Sequence, residues 1–251
     1  MAGFAVESGH APLYIGSMTS TSTSSRPDTP AASHLCSVQS AIDKMAQVAG
    51  RNSDAVTLIA VSKTHEADAI CPLLEAGQRH FGENRVQEAQ EKWPALKADY
   101  PDTVLHLVGQ LQSNKAADAV ALFDVIHSVD RPSLVKALIK AAKDQGREPV
   151  CFIQVNIADE PQKGGCAIAD VPELVAMVRK SPELSLAGLM CVPPLDVEPA
   201  PYFALLSKLA KENDVTGLSM GMSGDYETAV MLGASHVRVG TALFGKRDYS
   251  D

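Results

Sequence analysis

The chain has 251 residues, 45% of them hydrophobic and 21% charged, and its 30 acidic residues outnumber the 22 basic ones to give a net charge of −8. This is the make-up of an ordinary globular protein, and the acidic balance, with no Lys/Arg-rich stripe, excludes a nucleic-acid footprint. No apolar run reaches the roughly 18–20 residues that a membrane span needs.

The five cysteines (Cys36, Cys71, Cys151, Cys166 and Cys191) are widely spaced, with no CxxC pair and no His-rich tract beside them. Neither a disulfide framework nor a zinc site is indicated. Free thiols at this chain length point to a reducing compartment, the cytoplasm. The opening stretch MAGFAVESGHAPLYIG lacks the basic start and continuous apolar middle of a secretory signal. Residues 17–29, SMTSTSTSSRPDT, hold nine Ser or Thr among thirteen. With Pro27 and Pro30 nearby, residues 1–32 read as a disordered Ser/Thr-rich leader. Met18 is a second possible start, and Glu7, Asp28 and the scarcity of Arg weigh against a transit peptide.

From Ser33 onward a rhythm sets in. Leu35, Val38, Ile42, Met45 and Ala49 recur at helical spacing, and Gly50 follows as a stop. The apolar strand VTLIAVSK (56–63) comes next, then a helix that closes on Gly77 and a short strand at 79–84. The alternation continues with helix 86–98, strand 104–109, helix 114–122 and strand 124–129. Pro132 opens a helix that Gly146 ends, since proline suits the first helical turn. Strand 150–156, helix 170–180, strand 186–192, helix 200–212, strand 217–223, helix 225–233 and strand 236–241 complete the series. Near-continuous apolar strands between amphipathic helices imply a parallel sheet covered by helices. Eight such repeats predict an α/β fold, a single (β/α)8 TIM-type barrel over residues 33–251 with an extra N-terminal helix. Only ten residues follow Thr241, too few for a full eighth covering helix, so the extra helix is expected to fill that gap. An open doubly wound sheet would want a Gly-rich loop after the first strand, and Lys63-Thr64-His65 is no such loop.

In these barrels the site lies at the C-terminal ends of the strands, with phosphate often held after strands seven and eight. Those two strands finish in Ser223-Gly224 and Gly240-Thr241, whose backbone N–H groups suit a dianion. Ser223 and Thr241 are equally good helix caps, and the two roles are compatible. Lys63 ends strand one, which adjoins strand eight in a closed barrel. It either snorkels to solvent or offers a desolvated amine that attacks a carbonyl to form a Schiff base. Pyridoxal 5′-phosphate brings both an aldehyde and a phosphate, and Arg238, two residues before Gly240, is placed to reach its ring nitrogen. A guanidinium there leaves that nitrogen unprotonated and the ring a weaker electron sink. His80, His106 and His127 fall in strands and read as structural, without metal-ligand spacing.

At this point the motifs AVSKTH, HFGENRVQEAQEKW, GQLQSNK, IHSVD, QVNIADEPQKGG, GLMCVPP, LSMGMSGDYETAV and VRVGTALFG resemble the pyridoxal phosphate homeostasis protein family (YggS or PROSC type). They run in order from about residue 56 to 249. The resemblance implies a barrel similar to the N-terminal domain of alanine racemase, with the cofactor bound as an aldimine on Lys63. By position it implies that Ser223, Gly240 and Thr241 hold the phosphate, Arg238 the ring nitrogen and Asn84 the ring's other edge. It also matches Lys163 to a second lysine with a possible transfer role. Two departures mark the chain: Gln110 replaces a common proline, and Gly165-Cys166 alter the segment after Lys163.

Three functions fit such a site: a non-catalytic carrier that delivers pyridoxal phosphate to apo-enzymes, an amino-acid racemase or decarboxylase, and a cofactor-free Schiff-base aldolase. Racemisation wants a base on each face of the cofactor, part of it supplied in racemases by a second domain, for which the residues after strand eight leave no room. The aldolase wants an acid/base carboxylate pair, and Glu83 is the only acidic residue firmly at a strand end near Lys63. The expectation is therefore a monomeric carrier that is not an enzyme.

Overall fold

A computed structural model describes residues 29–245. Residues 1–28 of the expected leader lie outside the described residues, while 30–32 already belong to a helix. That helix, α1, spans Pro30–Val48 and starts three residues earlier than periodicity suggests. The Thr29 side chain accepts the Ala32 N–H at 3.2 Å, and Pro30 occupies the first turn, where its missing N–H costs nothing.

Eight parallel strands follow: β1 Thr57–Val61, β2 His80–Glu83, β3 Val104–Leu107, β4 Val125–Val129, β5 Val150–Gln154, β6 Ser185–Met190, β7 Gly217–Met222 and β8 His236–Val239. Each pairs with the next, and β8 closes onto β1 with Thr57 opposite His236 and Ala60 opposite Val239. The helices between them are α2 Ala67–Glu75, α3 Val86–Asp99, α4 Ala116–Leu122, α5 Pro132–Gln145, α6 Val171–Arg179, α7 Ala200–Glu212 and α8 Tyr226–Met231. This is the (β/α)8 barrel that the eightfold alternation predicts. Among the described residues no helix is long and apolar enough to cross a membrane.

The last helix, α9 Thr241–Phe244, has a single turn. The place of a full covering helix is taken by α1, which buries Leu35, Val38, Ile42 and Ala46. His34 of α1 reaches the Leu243 carbonyl of α9 through Nδ1 at 3.1 Å. The main core lies between barrel and helices, where one face of each strand packs. By strand alternation the other face fills the barrel interior. There Val125, Phe152 and Met190 form a small apolar cluster, and the Phe152 ring stacks on His127 at 4.5 Å.

Candidate functional site

β1 ends at Val61, two residues short of Lys63. Ser62 still pairs with its neighbour, donating its N–H to the Gly82 carbonyl at 2.9 Å, and then the chain turns. His65 N–H returns to Ser62 O at 3.1 Å, and Thr64 sits at φ 64°, an uncommon conformation for a non-glycine residue. The turn is held from below by Lys92 of α3, a buried lysine whose Nζ donates to Ser62 O and His65 O, both at 2.9 Å. The same ammonium pairs with Glu83 and Glu88, both at 3.0 Å, and Glu88 accepts the Thr64 N–H at 2.5 Å. Glu83, fully buried, also accepts from Ser62 Oγ at 2.6 Å and Trp93 Nε1 at 2.9 Å. Burial pushes its carboxyl upward against the pull of those hydrogen bonds and of Lys92. On the outer side, the His65 ring stacks on Phe244 of α9 at 4.4 Å. Lys63 therefore projects, half-buried, from a turn anchored on both sides of it.

The facing wall comes from the ends of β7 and β8. Gly221, at φ 93°, lets β7 bend where an added Cβ would meet the Ala229 side chain at 2.5 Å. Ser223 Oγ accepts the Gly240 N–H at 3.1 Å and ties the two strand ends together. Asp225 Oδ1 accepts the Met222 N–H at 2.5 Å. Arg238 is buried: Nη1 donates to Ser219 Oγ at 2.6 Å and Nη2 to the Cys191 carbonyl at 2.8 Å. Burial lowers its pKa from the ordinary guanidinium value. Among the described residues no carboxylate lies within ion-pair distance of it.

These pieces enclose a cavity of about 430 Å³ at the C-terminal mouth of the barrel. Lys63, Asn84, Ser223, Arg238, Gly240 and Thr241, the six residues singled out from the sequence, all line it. Val61, Val108, Val192 and Met222 supply apolar walls. The arrangement offers a primary amine, a guanidinium held by neutral partners, hydroxyls and backbone in one chamber. Among the described residues no cluster of His, Cys, Asp and Glu is arranged to hold a metal ion.

Lys163 lies elsewhere. On the loop between β5 and α6, its Nζ donates to the Pro193 carbonyl at 3.0 Å and pairs with Glu160 at 2.7 Å. Gln110 comes against this loop one residue before the altered Gly165-Cys166: a Cβ on Gly164 would overlap the Gln110 side chain. Gln110 in turn donates to Gln154 at 2.6 Å, and Gln154 donates to the Gly164 carbonyl at 3.0 Å. Glu83, the acidic residue that ends a strand near Lys63, points into the protein and does not line the cavity. Residue reasoning missed His65 as a lining group and Lys92 and Glu88 as supports. Only the i,i+4 spacing of Glu88 and Lys92 hinted at a pair.

Residues 34–248 match the family model of the alanine racemase N-terminal domain. A pyridoxal phosphate homeostasis protein of Pseudomonas aeruginosa is 42% identical over 225 residues, covering 87% of this chain and 96% of that protein. The protein of the same name in Escherichia coli is 37% identical over 228 residues, covering 87% and 97%. The chain belongs to the pyridoxal phosphate homeostasis protein family. PipY of Synechococcus elongatus, solved with PLP bound, is a structural relative of this family member at 41% identity and a TM-score of 0.76, covering 86% of this chain and all of that one. An alanine racemase from Clostridium difficile, 16% identical with a TM-score of 0.65, shares the fold, and the alignment covers 58% of its chain.

Proposed function

We propose that this family member binds pyridoxal 5′-phosphate in the cavity through Lys63, as an aldimine, and serves cofactor homeostasis and delivery to apo-enzymes in the cytoplasm, as a monomer without strong catalytic activity of its own. The observation that carries this reading is the convergence of a half-buried lysine, a guanidinium held by neutral partners and two hydroxyl-bearing strand ends on one chamber. The names of the relatives and the PLP-bound state of PipY support it.

The residues fit the group. Condensation of the Lys63 amine with an aldehyde forms one C=N bond and releases one water. Ser223, Gly240 and Thr241 would hold the phosphate, with Ser223 Oγ already fixed by the Gly240 N–H. Arg238 would donate to the ring nitrogen and Asn84 would face the ring's other edge. The bound cofactor would supply an electrophilic carbon conjugated to a pyridine ring. Because a guanidinium only donates, Arg238 keeps that nitrogen unprotonated, which disfavours strong carbanion stabilisation. Among the described residues no carboxylate lines the cavity to serve as an acid or base, which weakens the aldolase alternative. Lys163, held against Pro193 and Glu160 outside the cavity, would act only after leaving those partners.

The test is borohydride reduction of the purified protein incubated with pyridoxal phosphate, followed by peptide mass mapping. The expected result is a pyridoxyl-phosphate adduct on Lys63 that disappears in Lys63→Ala. An unmodified Lys63 overturns the cofactor reading. Rapid turnover of amino acids by the loaded protein overturns the carrier reading alone.

A further inference from the structure

Behind the cavity, the barrel interior holds an unbroken row of polar side chains. From Arg238 it runs to Ser219 (2.6 Å), on to His127 Nδ1 (2.8 Å), from His127 Nε2 to His106 Nδ1 (2.9 Å), and from His106 Nε2 to His80 Nδ1 (3.0 Å). Arg238, Ser219, His127 and His106 are all buried, and His80, the first residue of β2, is half-buried toward the opposite mouth. Burying five polar groups in line is costly unless each is satisfied. Satisfaction here has one solution. Arg238 can only donate, so Ser219 Oγ accepts from it, and among the described residues the buried hydroxyl proton then has one acceptor within reach, His127 Nδ1. His127 must then carry its proton on Nε2 and donate to His106 Nδ1, and His106 must donate from Nε2 to His80 Nδ1. Every ring is neutral. Burial first, then the basic side chains around them, holds His106 and His127 well below the usual histidine range.

We infer that Ser219, His127, His106 and His80 form a one-directional chain that positions Arg238, fixing its guanidinium by neutral acceptors so that its charge is left to the cavity. A carboxylate at Ser219's place would fix the arginine equally well but would neutralise it. The serine-histidine chain holds the arginine without neutralising it. Building on the proposed function, the chain sets the hydrogen bond received by the cofactor's ring nitrogen. The residues involved are positioning residues, since only Arg238 reaches the cavity.

The experiment uses the full chain labelled with ¹⁵N, first without cofactor. Histidine tautomer spectra are expected to show His80, His106 and His127 protonated on Nε2, with His106 and His127 silent to titration between pH 8 and 5. Arg238 is expected to give resolved, slowly rotating Nη–H signals that Ser219→Ala averages out and Ser219→Thr retains. In the loaded protein, Ser219→Ala should shift the ring-nitrogen resonance of ¹⁵N-labelled pyridoxal phosphate toward its value in water and weaken retention about tenfold, with the Lys63 adduct still formed. A proton on His127 Nδ1, or Arg238 signals unchanged in Ser219→Ala, overturns the inference. His127→Phe provides a second break in the chain with the same expected Arg238 signature. If the wild-type protein takes up no pyridoxal phosphate, the proposed function fails, while the cofactor-free spectra still decide the chain.

Discussion

Lys92 shows how much of a site can rest on a residue outside it. Its ammonium, nearly buried, satisfies two carbonyls that flank Lys63 and neutralises the buried Glu83. Lys92→Met should destabilise the protein by about 3–5 kcal/mol, because it strands a carboxylate in the core. Adding Glu83→Gln should recover a large part of that loss. Denaturant melts of the two singles and the double would check this, and simple additivity would show that the pair is not coupled. Gly165 presents a different constraint. At φ 121° an added Cβ would lie 2.4 Å from the Asn156 backbone nitrogen, so the clash cannot be relieved by a side-chain rotation. Gly165→Ala should cost on the order of 1–3 kcal/mol in strain. The disturbance is expected in the loop that carries Lys163, where limited proteolysis would show faster cleavage, while the Lys63 adduct yield stays unchanged.

At the scale of elements, α1 is the piece that completes the barrel. With α9 reduced to one turn, α1 packs against α8, α9 and α2 around the seam where β8 meets β1. Ile42 is fully buried in that contact. Ile42→Ala is expected to cost about 2–5 kcal/mol and to lower the midpoint of a single cooperative transition. An early, separate transition in the melt would instead mark α1 as a detachable appendage. The turn after β1 and the ends of β7 and β8 also work as one unit. His65 stacks on Phe244, and Ser223 binds Gly240, so each segment of the cavity wall is braced by the next.

For the whole molecule, four interior histidines make stability depend on pH. His80, His106, His127 and His236 all have lowered pKa values, chiefly from burial, and that of His236 falls to about 4. A group depressed in the folded state binds more protons when unfolded. Stability is therefore complete above the unfolded histidine value near 6.5 and is lost as the pH falls from there toward the folded values. Each such histidine contributes a slope of about 1.4 kcal/mol per pH unit within its window. Unfolding free energy should thus drop steeply from pH 7 to 5. His236→Asn, which keeps a polar partner for Ser235 Oγ in place of the Nδ1 atom now 2.9 Å away, should flatten the curve by one such slope. Identical slopes in the two proteins would sink this account.

The barrel was legible in the sequence because its signal is local and repeated. Apolar strand runs, helical periodicity and stops such as Gly50 and Gly146 recur eightfold, and each element needs only its own residues to declare itself. The same holds for Lys63, Ser223, Arg238 and Gly240-Thr241, since the end of a barrel strand is known once the strand is. What lies across strands was not legible. His80, His106 and His127 looked like three unrelated strand residues, and no spacing links them to Ser219 or Arg238. Glu83 looked like a strand-end acid until burial beside Lys92 and Trp93 turned it away from the cavity. Gln110 looked unconnected to the Lys163 loop until it came against Gly164. Sequence by itself determined the fold, through periodicity and strand polarity, and the family, through its motifs. Only the tertiary structure decided which polar groups meet, because hydrogen bonds and buried charges depend on distances across the barrel that residue order does not encode.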